Sequence, residues 1–458
     1  MTTETIPGAL ALACRAVTPA APRDAVAGVM PSWVASPASV EEASAVMRAA
    51  ADHDLAVVPR GGGTKLGWGE PPRRCDVVID MLRMDRVLEH AAGDLVTRVQ
   101  AGVTMSHLAG VLGGAGQQLA LDVPGTGGPA RNGSPTVGGV LATGIAGPRR
   151  LRYGTPRDLV IGVTAIRADG AVTRSGGKVV KNVAGYDLGK LFAGSYGTLG
   201  LIVEAVFRLH PLPAATAFVT DDVYGAAAVA QAVAAAAGSD LAPSAVEIDR
   251  PARGGPVRVG VLLEGDPDGV AERAGQMRGA LGAGSVASRS EPAWWGGAPG
   301  GTGPTGAGPG GGGGPGGGGP GGGRPGGTLI RIAFWAAALC GVLEAIDAAA
   351  GAAGLDPAVA GSAAAGVLHA SVRPDAPPGA VAAFLGGLRE ALARGEPGAA
   401  AGEGPPTRGS AVVLHAPDDV REVVDLWGPV PGLDLMRAVK DQFDPGHLMS
   451  PGRFAGGI

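Results

Sequence analysis

The stretch VVPRGGGTKLGWG, Val57 to Gly69, holds the residue types that anion chemistry needs. An apolar run stops at Pro59, and Gly61, Gly62 and Gly63 follow between Arg60 and Lys65. Consecutive glycines let backbone N–H groups turn toward one point, with no Cβ to keep an anion away. Two cations beside such a nest favour a diphosphate. A glycine-rich turn with two solvated charges is the alternative, and the tripeptide alone does not separate the two. Two more glycine-containing stretches follow, PGTGGPARNGSPTVGGVLATGIAG (Pro124 to Gly147) and GYDLGKLFAGSYGTLGLI (Gly185 to Ile202). Neither is a P-loop, since GxxxxGK[ST] is absent. GVLGGAG (Gly110 to Gly116) approximates GxGxxG but ends a helical pattern, whereas a dinucleotide fingerprint follows a strand and opens a helix.

The elements around these stretches open in a strand–helix–strand order, which suggests a small α/β unit. Strand-like residues lead into a helix with Ser39 as N-cap, Glu41 and Glu42 in its first turn, and Val40, Ala43, Val46, Met47 and Ala50 on one apolar face. The strand Leu55 to Val58 delivers the chain to the glycine loop. Strands are expected over Cys75 to Met81 and Leu95 to Gly102, then a helix from Thr104 to about Leu112. Arg157 to Arg174 reads as a hairpin turning at Ala168-Asp169-Gly170. Residues before about Ala27 read as a loose lead-in. After Ala214 an alanine-rich helix, the strand VRVGVLLEG and further strands and helices run to Leu426. They are interrupted by a Gly/Pro-rich insert, 296–327, and a second flexible patch, Gly395 to Gly409.

Composition narrows the class. With 458 residues the chain has room for two or three domains, and a net charge of −4 without a basic run disfavours nucleic acid. Cys14, Cys75 and Cys340 are far apart, which points to a reduced cytosolic protein with no iron–sulfur cluster and no metal of its own. GALALAC, Gly8 to Cys14, has Glu4 and no Lys or Arg ahead of it, so the basic start of a signal peptide is missing. The uncharged core Ile332 to Leu343 is too short to span a bilayer, so no transmembrane segment is expected.

Taken together, the glycine stretches and the hairpin resemble the FAD-binding domain of the vanillyl-alcohol oxidase and p-cresol methylhydroxylase (PCMH-type) superfamily. The resemblance covers roughly residues 28–213. It implies an α+β chain: a two-subdomain FAD-binding domain at 28–213, then a smaller, divergent α+β cap at 214–295 and 328–440. The insert 296–327 is expected to be disordered, and residues 441–458 form a tail. By the same resemblance Arg60, Gly61, Gly62, Gly63, Thr64 and Lys65 wrap the FAD pyrophosphate. Pro124, at the start of the second stretch, is expected to contact FAD as well. Thr136, Gly138, Gly139, Thr143 and Gly144 lie along the ribityl chain and flavin, and Gly197, Gly200 and Ile202 approach the adenine side. Tyr196 stands where the family's GSEGTLGII has an acidic residue. No His or Cys lies in the first loop or in TVGGVLATG, so FAD is expected to be non-covalent.

The tail KDQFDPGHLMSPGR, Lys440 to Arg453, resembles the KxxFDPxxxLNPGR ending of FAD-linked 2-hydroxy acid dehydrogenases. GVLHASVRPD, Gly366 to Asp375, keeps one histidine of their GDGNLH-type stretch and lacks its acidic and second-histidine partners. The whole is similar to the FAD-binding subunit of glycolate oxidase, the GlcE type. That implies a glycolate-like substrate, a second FAD subunit and an iron–sulfur subunit as partners, and a cytoplasmic chain that is membrane-peripheral only through those partners. Two alternatives stay open: a non-catalytic accessory subunit of such a complex, and a stand-alone FAD-dependent oxidase of another alcohol or sugar-type substrate. Oxidising a 2-hydroxy acid needs a hydride acceptor, a base for the hydroxyl proton and a cation for the carboxylate. His369, His415 and His447 are the candidates for the base, and Arg331 and Arg373 for the cation.

Overall fold

A computed structural model describes residues 5–123, 134–177, 187–300, 327–394 and 409–458. The chain divides into two units: Met1–Ala146, Gly154–Leu212 and Val430–Ile458 form the first, and Gly147–Tyr153 with Pro213–Pro429 the second.

The first unit is built on two sheets. In the smaller, Trp33–Ala35, Val77–Asp80 and Val57–Arg60 run parallel, with Val17–Pro19 antiparallel at the edge. Helix Val40–Asp52 makes the crossover between Trp33–Ala35 and Val57–Arg60. Ser39 Oγ accepts from Glu42 N at 3.2 Å to cap it, and Ala43, Val46, Met47 and Ala50 are buried on the expected face. The larger sheet is antiparallel, in the order Val87–Ala91, Val96–Gln100, Leu201–Arg208, Val160–Ile166, Val172–Gly176. Its hairpin turns at Gly170 (φ +81°), whose carbonyl accepts from Ser44 Oγ at 2.7 Å. That bond ties the second sheet's hairpin to the first sheet's crossover helix.

Both ends of this unit extend beyond the expected span. The supposed lead-in holds a helix, Thr5–Ala13, and a paired strand, and Leu10 and Cys14 are buried in the unit's core. Asp24 is buried as well, ion-paired to Arg60. At the other end the helix Leu433–Phe443 belongs to this unit and not to the cap, because Lys440 is buried here and Phe443 meets Phe192 edge-on at 5.9 Å.

The second unit is built on one sheet. Its antiparallel eight-stranded sheet has the order Val286–Ser288, Ala215–Val223, Val257–Gly265, Ala245–Arg250, Ala358–Ser362, Val367–Val372, Thr328–Ala333, Ser410–His415. Along the chain each half runs strand–helix–strand–strand–helix–strand, a ferredoxin-like arrangement occurring twice. The halves join where Ala245–Arg250 pairs with Ala358–Ser362. Residues 301–326, most of the expected insert, lie between the halves and outside the described residues, as do residues 395–408 between the last helix and strand. Helices Ala226–Ala237, Pro267–Leu281, Leu339–Ala353 and Pro378–Arg394 bury their apolar residues in one core with the sheet. The run Ala336–Ala353 is long and apolar enough by length and composition to cross a membrane, but its Leu339, Val342, Leu343 and Ile346 are buried in this unit's core. Glu264 accepts from Arg149 Nε at 2.9 Å and Tyr153 Oη at 3.0 Å, which anchors Gly147–Tyr153 within the second unit.

Candidate cofactor site

The glycine stretches meet within the first unit around a cavity of about 890 Å³, counted with its open mouth. The first loop leaves the strand Val57–Arg60, and its glycines are needed for separate reasons. A Cβ on Gly62 would overlap the Ser134 carbonyl oxygen, and one on Gly61 would overlap Thr136 Oγ1. Gly63 has φ +77°, where a side chain is strained. Two of the three thus let the loop lie directly on Ser134 to Thr136, which sequence alone reads only as permissiveness toward an anion.

The flanking cations differ. Arg60 donates to Asp24 and Asp80, each at 2.7 Å. Burial opposes its charge, but the two carboxylates outweigh burial and raise its pKa. Arg60 therefore frames the loop with its charge already matched. Lys65 has no carboxylate within ion-pair reach among the described residues; its ammonium lies 5.3 Å from the Trp68 ring centre, and burial lowers its pKa. An ammonium desolvated without a partner favours an anion that brings its own charge.

Thr136 caps the helix Val137–Thr143, its Oγ1 accepting from Gly139 N at 3.4 Å. Gly138 N donates to Ala101 O at 2.8 Å, and a Cβ there would stand 2.8 Å from Ala101 Cβ. Thr143 Oγ1 donates to Gly139 O at 2.8 Å. Gly144 ends the helix at φ +63° and is not among the cavity-lining residues. Its work is to turn the chain where Gly194 N donates to Leu141 O and Tyr196 N to Ala142 O.

Arg60 to Lys65, Thr136, Gly138, Gly139, Thr143, Gly197, Gly200 and Ile202 all line the cavity, while Pro124 lies outside the described residues. Gly197 has φ +73°, and a Cβ on Gly200 would stand 2.9 Å from Ile166 O. Sequence reasoning missed several wall residues. Met81, Ala101, Val123, Val140 and Ile145 supply apolar surface from positions that read as ordinary core. Tyr196 lines the cavity at φ +56° with its ring 5.4 Å from Phe454. A non-glycine residue held there stores strain of roughly 1–3 kcal/mol, and such residues cluster at ligand sites. Arg453 is also on the wall; one Nη2 donates to Leu66 O and Trp68 O, both at 2.7 Å, and fixes the far end of the first loop. The PGR of the tail was the signal for it.

The expected catalytic residues sit elsewhere. Arg331 and His369 are cross-strand partners in the second unit's sheet. Burial first, and then the fields of Arg150 and Arg331, push the pKa of half-buried His369 down to about 3, so its imidazole is neutral. Two guanidiniums beside it repel a divalent cation. His415 pairs across from Leu329 on the neighbouring strand. Arg373 is not brought into this group: it is exposed and ion-paired with Asp375. His447, in the first unit's tail, is exposed, 3.1 Å from Asp441.

Comparison with known proteins agrees with the cavity. Residues 31–176 match a family described as an FAD binding domain. The chain is 36% identical over 184 residues to glycolate oxidase subunit GlcD of Bacillus subtilis. It is 38% identical over 178 residues to a D-lactate dehydrogenase of Archaeoglobus fulgidus, and 36% over 183 to a D-2-hydroxyglutarate dehydrogenase of Xanthomonas citri. These matches cover 39–40% of this chain and span 38% of the length of each relative. A solved alkyldihydroxyacetonephosphate synthase superposes with TM-score 0.62 over 92% of this chain and 76% of its own, at 17% identity, a likeness of fold.

Proposed function

We propose, from the premise that the first unit is an FAD-binding domain of the PCMH type, that this chain is a flavoprotein oxidoreductase of 2-hydroxy acids within a glycolate oxidase-like complex. The observation that carries it is the convergence of the glycine stretches on one cavity beside Lys65, an ammonium with no acidic partner among the described residues. FAD is the cofactor, and when bound it supplies the hydride acceptor. The chain's own residues hold it. The Arg60 to Lys65 loop takes the diphosphate, with Lys65 as the cation and Arg453 fixing the loop's carbonyls. Thr136, Gly138, Gly139 and Thr143 follow the ribityl chain, and Gly197, Gly200 and Ile202 the adenine. No His or Cys is among the described residues that line the cavity, which supports non-covalent binding.

For the substrate, His369 and Arg331 have the right chemistry: a neutral imidazole able to accept a proton and a cation for a carboxylate. His415 and His447 are the less supported bases, and Arg373 the less supported cation, because Asp375 already matches its charge. In the proposed complex a second FAD subunit carries catalysis alongside this one and an iron–sulfur subunit takes the electrons. The chain is cytoplasmic, membrane-peripheral through those partners. Burial that pushes the Cys75 thiol up to about 12 suits a reduced, unreactive cysteine.

A second reading, an accessory subunit that binds FAD while a sister subunit oxidises the acid, is favoured by the charges that act on His369, which are the guanidiniums of Arg150 and Arg331. Anaerobic addition of glycolate, D-lactate or D-2-hydroxyglutarate to the isolated chain separates the two. Bleaching of the flavin supports the enzyme. Bleaching only after partner subunits are added supports the accessory reading.

A further inference from the structure

The tail is fastened beside the cavity wall by Lys440, which is ion-paired to Asp444 within the tail and lies outside every glycine stretch. Lys440 is 1% exposed and Asp444 is fully buried. The Lys440 ammonium donates to Asp444 Oδ2, to Thr198 O at 2.7 Å and to Met449 O at 2.9 Å. Asp444 in turn accepts from Leu448 N at 3.0 Å and Met449 N at 2.7 Å. All three ammonium protons are thereby used, and they join segments that are distant in sequence.

Both segments are strained where they meet. Tyr196 has φ +56°, and in the tail His447 and Ser450 have φ +51° and +44°. Ser450 Oγ is buried with no hydrogen-bond partner among the described residues, 3.4 Å from where a Gly197 Cβ would lie. Left-handed non-glycine residues persist only where their surroundings over-determine them, and they gather at ligand clamps. Thr198 is next to Gly197 on the wall, and Met449 is four residues before Arg453, also on the wall. A hydrophobic pair of similar volume would serve packing alone at least as well as a buried ion pair.

We propose that Lys440 is a positioning residue of the cofactor site: by its own bonds to Thr198 and Met449, with Asp444 holding Leu448 and Met449, it keeps the Tyr196–Gly200 loop and the Met449–Arg453 tail in the one arrangement that binds flavin. The inference rests on the FAD reading above. Burial lowers the Lys440 pKa even beside Asp444, which fits a charge kept for its geometry.

The test compares FAD dissociation constants of full-length wild type and Lys440→Met, each stripped of flavin, at a temperature where circular dichroism shows both folded. The expected result is at least a tenfold weaker Kd in the variant. A Kd within twofold of wild type in a folded variant overturns the proposal and leaves the FAD site standing. Wild type that binds no FAD overturns the cofactor reading itself. If Lys440→Met does not fold, amide exchange of wild type decides: peptides covering 196–202 and 447–454 are expected to gain protection together on FAD addition. A tail peptide unmoved by FAD overturns the clasp.

Discussion

The first unit brings distant residues to one point, whereas the second repeats one arrangement and spreads its polar residues along it. In the first, Gly61, Gly62, Gly138 and Gly200 are small because backbone or side chain stands where a Cβ would go, and Lys65 is left without a carboxylate partner among the described residues. In the second, two ferredoxin-like halves pair edge to edge, and the candidate groups are strand residues such as Arg331 and His369, paired in register. Close packing around one cavity makes the first unit intolerant of change. Regular strand pairing makes the second tolerant at most polar positions, and this contrast gives the predictions their order.

The largest effect is expected at Gly62. A valine there collides with the Ser134 carbonyl, so Gly62→Val should purify without flavin while the second unit stays folded, as read by visible absorption and circular dichroism. Flavin retained at wild-type level would mean that the loop does not lie against the site. Next is Lys65→Met, for which the FAD Kd should rise about tenfold, about 1.4 kcal/mol, with little change in melting temperature. An unchanged Kd would assign the diphosphate to another cation.

The second unit should respond to acid. His369 is neutral in the fold down to about pH 3 but charges near its ordinary 6.5 when unfolded. The unfolded state therefore binds more protons between those values, and the stability this histidine contributes is present above 6.5 and lost as pH falls toward 3. His369→Gln should melt with a shallower pH dependence between pH 6 and 4 than wild type; parallel curves would contradict the burial assigned to the ring. The smallest effect belongs to Arg373→Ala. Its ion pair with Asp375 is exposed and screened by solvent, so the melting temperature and flavin binding should both stay at wild-type values.

Sequence legibility followed the same contrast. Short-range signals were readable: Ser39 and Thr104 as caps, the Asp169-Gly170 turn, and the strand Val257–Gly265 all stand where local pattern put them. So did most of the cavity's residues, because glycine spacing is local and its motifs are distinctive. Residues made important by distant packing were not readable. The role of Arg60 depends on Asp24 in what looked like a loose lead-in, and that of Lys440 on Thr198 O, more than two hundred residues away. The doubled second unit was hidden because its halves share an order of elements rather than a motif, and residues 301–326 fall between them.

Acid precipitation of the purified chain, followed by flavin analysis of pellet and supernatant, tests the central claim most directly. The account predicts one FAD per chain, all of it in the supernatant. A chain that takes up no FAD, or flavin that stays with the pellet, would contradict it.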